Sequence, residues 1–201
     1  MKYIDILGYA VLIGVCIVCF YIYYNESDVF QLKCIVSTVD GNKYCVRERK
    51  MEQEASNLLS KITNNCKDLV EYVANKYPNK ENVIRLKTKF NPQKISEILP
   101  TSSYTAYSEN KGEKLAFCLS KKSKKETNDN LIDEHTLMFV AIHELSHVAS
   151  ESIGHKSEFW ENFKFLLEEA KESGIHTPVD YKNKPQEYCG MSIKDNPYYD
   201  V

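Results

Sequence analysis

The chain has no surplus of positive charge. Its 26 Lys and Arg stand against 28 Asp and Glu, for a formal net charge of -2, so nothing in the balance neutralises a phosphate backbone and nucleic acid is not the expected partner. Glycine and proline are scarce, at 7 and 6 of 201 residues, which excludes collagen-like and Pro/Gly-rich disordered architectures. There is no internal repeat, so solenoids and propellers are excluded too. Seven cysteines are present, but beyond the first 25 residues no two are spaced CxxC. The five found there, Cys34, Cys45, Cys66, Cys118 and Cys189, are an odd number. Neither a four-cysteine zinc knuckle nor a disulfide framework is announced. Buried thiols are the plain expectation, with one or two disulfides open to an exported domain.

The chain does contain a long apolar run at its start. Residues 6–24, ILGYAVLIGVCIVCFYIYY, carry no charge, and as a helix they cover roughly 28 Å, the thickness of a hydrocarbon core. A cleaved signal peptide has a shorter apolar region and a small-residue cleavage site. Here the run ends instead in Tyr21, Tyr23 and Tyr24, which suit an interfacial belt. A retained single-pass anchor over residues 1–25 is therefore expected. Lys2 on one flank, with Glu26 and Asp28 on the other, gives only a weak bias toward a cytosolic amino terminus, and the side of the domain stays open.

Beyond the anchor, 43% hydrophobic residues overall support a single folded domain of about 170 residues. Asp40-Gly41 between two short β-prone runs signals a hairpin within a juxtamembrane segment, residues 26–46. Apolar residues recur every three or four positions from Arg47 to Tyr77, predicting a long amphipathic helix that Pro78 ends. Residues 82–90 alternate and predict a strand, followed by a short helical turn from Pro92 through Ile98. The runs SYTAY and KLAFCLS, around a Gly-containing loop, predict an antiparallel pair. A polar, mostly basic loop, residues 121–130, comes next. Then a helix apolar over most of its circumference spans residues 131–152, and a helix with an aromatic stripe runs from Ser157 to Glu172, the stripe reading as core. The tail, with three prolines, is expected to wrap the domain irregularly.

The apolar helix contains His143-Glu144-Leu145-Ser146-His147, an HExxH motif. Positions i and i+4 share one helix face, so both imidazoles reach one zinc ion while Glu144 stands at the edge where a metal-bound water lies. With 5 histidines in 201 residues, the chance of this pattern is on the order of one in a hundred. Burial of two histidines and a glutamate costs several kcal/mol unless they are paired or liganded, and ligation to Zn2+ resolves that cost. A third ligand is needed, and His155 is the first choice because Gly154 before it permits a backward turn. Glu151, Glu158, Glu161, Glu168, Glu169, His176 and Asp180 are the alternatives, while His135 reads as a surface or capping residue. Tyr181 and Tyr188 are the candidate oxyanion donors.

HELSH followed by GHKSEFW resembles the HExxH…H…FW pattern of the small WLM and SprT-like zinc metallopeptidases, minimal zincins in which an antiparallel edge strand precedes the active-site helix. The resemblance covers about residues 51–172. It implies His143, His147 and His155 as zinc ligands and Glu144 as general base and acid. The gap of seven residues before His155 departs from the family's usual spacing, and the zinc ribbon of some SprT-like proteins is absent. Membrane-anchored chains of this pattern also resemble predicted metallopeptidases of large DNA viruses. The implied fold is α+β: an N-terminal transmembrane helix, then a small zincin-like domain over residues 47–201 with a long amphipathic helix, a short antiparallel sheet and an active-site helix. The implied function is hydrolysis of peptide bonds in a peptide or protein substrate, with residues 115–119 offering a strand for that peptide. A zinc-bound structural or adaptor module, or a metal-free anchored interaction protein, are the rival classes.

Overall fold

The computed structural model describes residues 3–27, 31–122 and 130–200. It begins with α1 (Tyr3–Glu26), apolar enough to cross a membrane over Ile6–Asn25, a stretch not buried by the other described residues. The remainder is a mixed α and β body. Strands β1 (Lys33–Val36) and β2 (Lys43–Val46) form the hairpin expected around Asp40-Gly41, with Gly41 at φ +73° in the turn. Its 25-residue neighbour α2 (Glu52–Lys76) matches the predicted long helix, starting a few residues later. Leu59, Ile62, Cys66, Leu69 and Val73 form its fully buried stripe, with Glu52 and Glu54 in the first turn and Lys76 in the last, each favourable to the helix dipole.

Two short segments depart from expectation. Residues 81–89 are helix α3, not a strand: Val83 and Leu86 are buried three apart while Ile84 is exposed, a helical spacing that nine residues of mixed polarity do not reveal reliably. Conversely, the expected helical turn after Pro92 is strand β3 (Ile95–Glu97). Pairing imposes it, because β3 lies parallel to β5 (Lys114–Phe117) on one side and to β2 on the other. Strand β4 (Ala106–Glu109) pairs antiparallel with β5, as predicted. The resulting order, β1-β2-β3-β5-β4, is a mixed sheet and not the purely antiparallel one expected. The hairpin of residues 33–46 is part of that sheet.

Helices α4 (Glu134–Ala149) and α5 (Ser157–Glu172) follow, packed on one another. Helix α2 lies against β1, β2 and β3, and α4 lies against β4 and β5 while also contacting α2, so the helices cover the sheet. The tail is less irregular than expected, with a hairpin of β6 (Gln186–Tyr188) and β7 (Met191–Ile193) and a 3-10 turn at Pro197–Tyr199. Most of the basic loop, residues 123–129, lies outside the described residues.

Four of the five cysteines outside α1 are paired, which corrects the expectation of buried thiols. Cys34 and Cys45 join β1 to β2, and Cys118 at the end of β5 joins Cys189 in the tail. Cys66 alone remains a buried thiol, its pKa pushed up to about 12 by desolvation. Alkylation of the unfolded, unreduced chain should label Cys16, Cys19 and Cys66 and leave the other four untouched. The double substitution Cys118→Ala and Cys189→Ala, opening a link across 71 residues, should destabilise the domain by about 4 kcal/mol in urea unfolding.

Candidate metal centre

Helix α4 begins at Asp133, whose carboxylate accepts from the Thr136 amide at 2.8 Å and from its hydroxyl at 2.8 Å. This side chain, and not His135, is the cap. From there the helix buries Leu137, Ala141, Ile142, Leu145 and Val148. His143 and His147 lie one above the other on its partly open face, and Glu144, next to them, is 5% exposed. The helix stops at Ser150, and the chain crosses a short loop to α5. Gly154 in that loop has φ +77° with nothing within 4 Å of the Cβ position, so the residue serves the turn and not close packing. That turn carries His155 back toward the helix.

The imidazoles converge on one point. The Nε2 atoms of His147 and His155 are 3.1 Å apart, those of His155 and His143 are 3.1 Å apart, and all three lie within 4.8 Å of one another. Nitrogens arranged tetrahedrally about zinc at roughly 2.0–2.1 Å are separated by about 3.3–3.4 Å, close to the observed spacing. The three rings do not fully satisfy each other, because both short contacts use the Nε2 of His155, which carries either one N–H or one lone pair. A cation accepts all three lone pairs at once. Burial, with the neighbouring imidazoles adding to it, lowers His143 to about 3 and His147 to about 4, so both rings are neutral and able to ligate at pH 7. Burial raises Glu144 to about 8, and among the described residues no hydrogen bond to its carboxylate is present. The donor set therefore fits a zinc ion bound by three protein ligands with a fourth position open.

Helix α5 supports His155 from below. Glu158, in its first turn, accepts from the amides of Glu151 at 2.7 Å and Ser152 at 2.9 Å, which hold its carboxyl down to about 2. Asn162 donates to the Ser150 hydroxyl at 2.9 Å, and that hydroxyl donates to the Ser146 carbonyl at 2.8 Å. Arg85 of α3 donates to the Ala149 carbonyl at the helix end. Phe159 lies beneath the three imidazoles, with ring centroids 4.3 Å from His147, 4.6 Å from His155 and 4.8 Å from His143. The aromatic stripe read as core is thus also the floor of the site, a role its periodicity does not distinguish from packing.

The other sequence candidates fall elsewhere. Glu158 braces the loop, and Glu151 extends into solvent with its side chain 85% exposed. Glu161 and Glu168 are exposed on α5, whereas Glu169, expected on the same solvated face, is buried and accepts from Lys76 at 2.8 Å and Tyr77 at 2.7 Å. His176 is buried against His135, whose Nε2 meets the Thr177 carbonyl at 2.7 Å. Asp180 holds a turn through the Lys182 amide. The Tyr188 hydroxyl donates to the Thr105 carbonyl at 3.0 Å and accepts from the Cys118 amide at 3.2 Å, and Tyr181 packs on Phe139. Strand β5, which contains the expected peptide-binding residues 115–117, is paired on both sides; the open edge on this side of the sheet is β4.

Neither a family model nor a solved structure matches the chain. Its sequence is similar to "Uncharacterized protein R325" of Acanthamoeba polyphaga mimivirus, 26% identical over 196 residues that cover 95% of this chain and 96% of that protein. It is also similar to "Uncharacterized protein 136R" of Invertebrate iridescent virus 6, 36% identical over 70 residues that cover 34% of this chain and 37% of that protein. Both relatives are viral proteins, in keeping with the viral resemblance drawn from the motif. At Gly154, where space is ample and only the backbone resists a side chain, Gly154→Ala should cost about 1–2 kcal/mol in urea unfolding and Gly154→Asn less.

Proposed function

We propose that this chain is a membrane-anchored, zinc-dependent hydrolase of peptide bonds, of the HExxH kind that the WLM and SprT-like resemblance implies. The observation that carries the reading is the meeting of three imidazole nitrogens, His155 at 3.1 Å from each of the other two and all within 4.8 Å, beside the buried carboxyl of Glu144. Zinc bound by His143, His147 and His155 would supply a water of pKa about 7 and a Lewis acid for a peptide carbonyl. Glu144 takes up the proton of the attacking water and returns it to the departing amine. A purely structural site has no use for such a carboxylate, and burying one without a partner is costly.

The open edge of β4 suits an extended peptide. The Cys118 amide donates to the Thr105 carbonyl at 2.9 Å, so by the alternation of an antiparallel ladder the main-chain groups of Ala106 and Ser108 point away from β5. They would hold a peptide by strand addition. Helix α1 is the anchor in this reading, and two disulfides suit a domain on the oxidising side of the membrane. That placement agrees with the weak charge bias around α1.

The purified chain should contain about one zinc, and His143→Ala should lose it, as read by elemental analysis. Glu144→Gln should keep the metal and lower the rate of cleavage of an unfolded, fluorescently labelled protein by at least about a hundredfold. Wild-type rates in that variant would sink the mechanism. In sealed membranes, the domain should resist protease added from the reducing side and be digested only after permeabilisation.

A further inference from the structure

The turn between β4 and β5 is strained. Asn110, Lys111 and Gly112 have φ of 46°, 55° and 108°, and two of the three are residues with side chains, each of which pays roughly 1–2 kcal/mol for the left-handed region. The turn is also pressed down onto its neighbours: a Cβ on Gly112 would lie 2.8 Å from the Lys89 carbonyl at the end of α3 and 2.8 Å from Cγ1 of Val148 in the last turn of α4. This conformation sends the Lys111 side chain across the carboxy-terminal end of α4. There Nζ donates to the carbonyls of Ser150 at 2.9 Å, Glu151, and Ser152 at 3.1 Å. All three ammonium protons are engaged, and three successive carbonyls are gathered about one positive charge. A cation at this end of a helix also opposes the negative pole of the dipole. His155 follows three residues after the last of these carbonyls.

We propose that Lys111 is the positioning residue for the third metal ligand: it fixes the curve of residues 150–152 that aims His155 at His143 and His147. This rests on the reading of the three histidines as a zinc site. The same residue joins two parts of that site, because the turn that delivers the ammonium is continuous with β4, the open edge of the sheet. A change in the backbone of the edge hairpin is thereby felt at the loop that carries His155.

The test measures zinc affinity of the full chain by competition with a chromophoric chelator, together with hydrogen exchange of the amides at 151–155 in the metal-free chain. Lys111→Met should bind zinc roughly 10–100-fold more weakly than the parent and exchange those amides faster, with an unchanged melting temperature for the metal-free fold. Lys111→Arg, which restores a multidentate cation, should stay within a few-fold of the parent. Lys94→Met, removing an exposed lysine paired with Glu113, should change neither quantity. If Lys111→Met retains parental affinity, the positioning role is wrong while the zinc site stands. If the parent binds no zinc, the site reading fails, and exchange at 151–155 unaltered by Lys111→Met then overturns the hold on the loop as well. Should Lys111→Met fail to fold, Lys111→Gln makes the same comparison with a smaller perturbation.

Discussion

Three lone pairs directed at one point repel each other unless a positive charge sits between them, and this constraint organises the rest of the molecule. His143 and His147 are brought together by helical geometry alone, but His155 arrives from a loop whose backbone must be held against its own freedom. The fold meets that need from several directions. Glu158 ties two loop amides from below, Asn162 anchors the Ser150 hydroxyl, Arg85 holds the last helical carbonyl from α3, and Lys111 gathers three carbonyls from the edge hairpin. Phe159 closes the underside with an apolar ring in contact range of all three imidazoles. The loop is short in sequence and rich in external bonds, which is how a segment without regular structure keeps one conformation.

The electrostatics are consistent with that design. Around His143 and His147 burial disfavours charge, so these two rings stay neutral. At the margin of the site the opposite holds: Glu158 sits among backbone amides that stabilise its negative form, and the cations of Arg85 and Lys111 lie at the negative end of α4. A buried cluster beneath the sheet follows the same logic. Glu97, 1% exposed, accepts from the Arg47 amide at 2.8 Å and its Nε at 2.7 Å, and from Arg49. It fastens the end of β2 to β3, so a carboxylate buried this deeply is fully paired, unlike that of Glu144.

The parts legible in the sequence are those whose information is local. HExxH declares its own geometry because two imidazoles lie on one helix face, and the helix expected from the aromatic stripe has the observed bounds, Ser157 and Glu172. Helix α3 and strand β3 were not legible, since nine and three residues carry too little periodicity and their states are set by what they pack against. The disulfides join Cys34 to a residue 11 positions away and Cys118 to one 71 positions away. Only the sheet and the tail bring these thiols together. Glu158 and Glu169 look alike as acidic residues on one helix, yet one holds a loop and the other is buried against Lys76 and Tyr77. Their difference lies in their neighbours, which one chain in isolation does not announce.

The link between Cys118 and Cys189 encloses the residues from His143 to Phe159 within one covalent ring. A single scission anywhere between those two cysteines opens the ring without dividing the polypeptide, and the two pieces stay joined through the disulfide. A polypeptide closed in this way outlasts a single proteolytic cut so long as its surroundings do not reduce the bond.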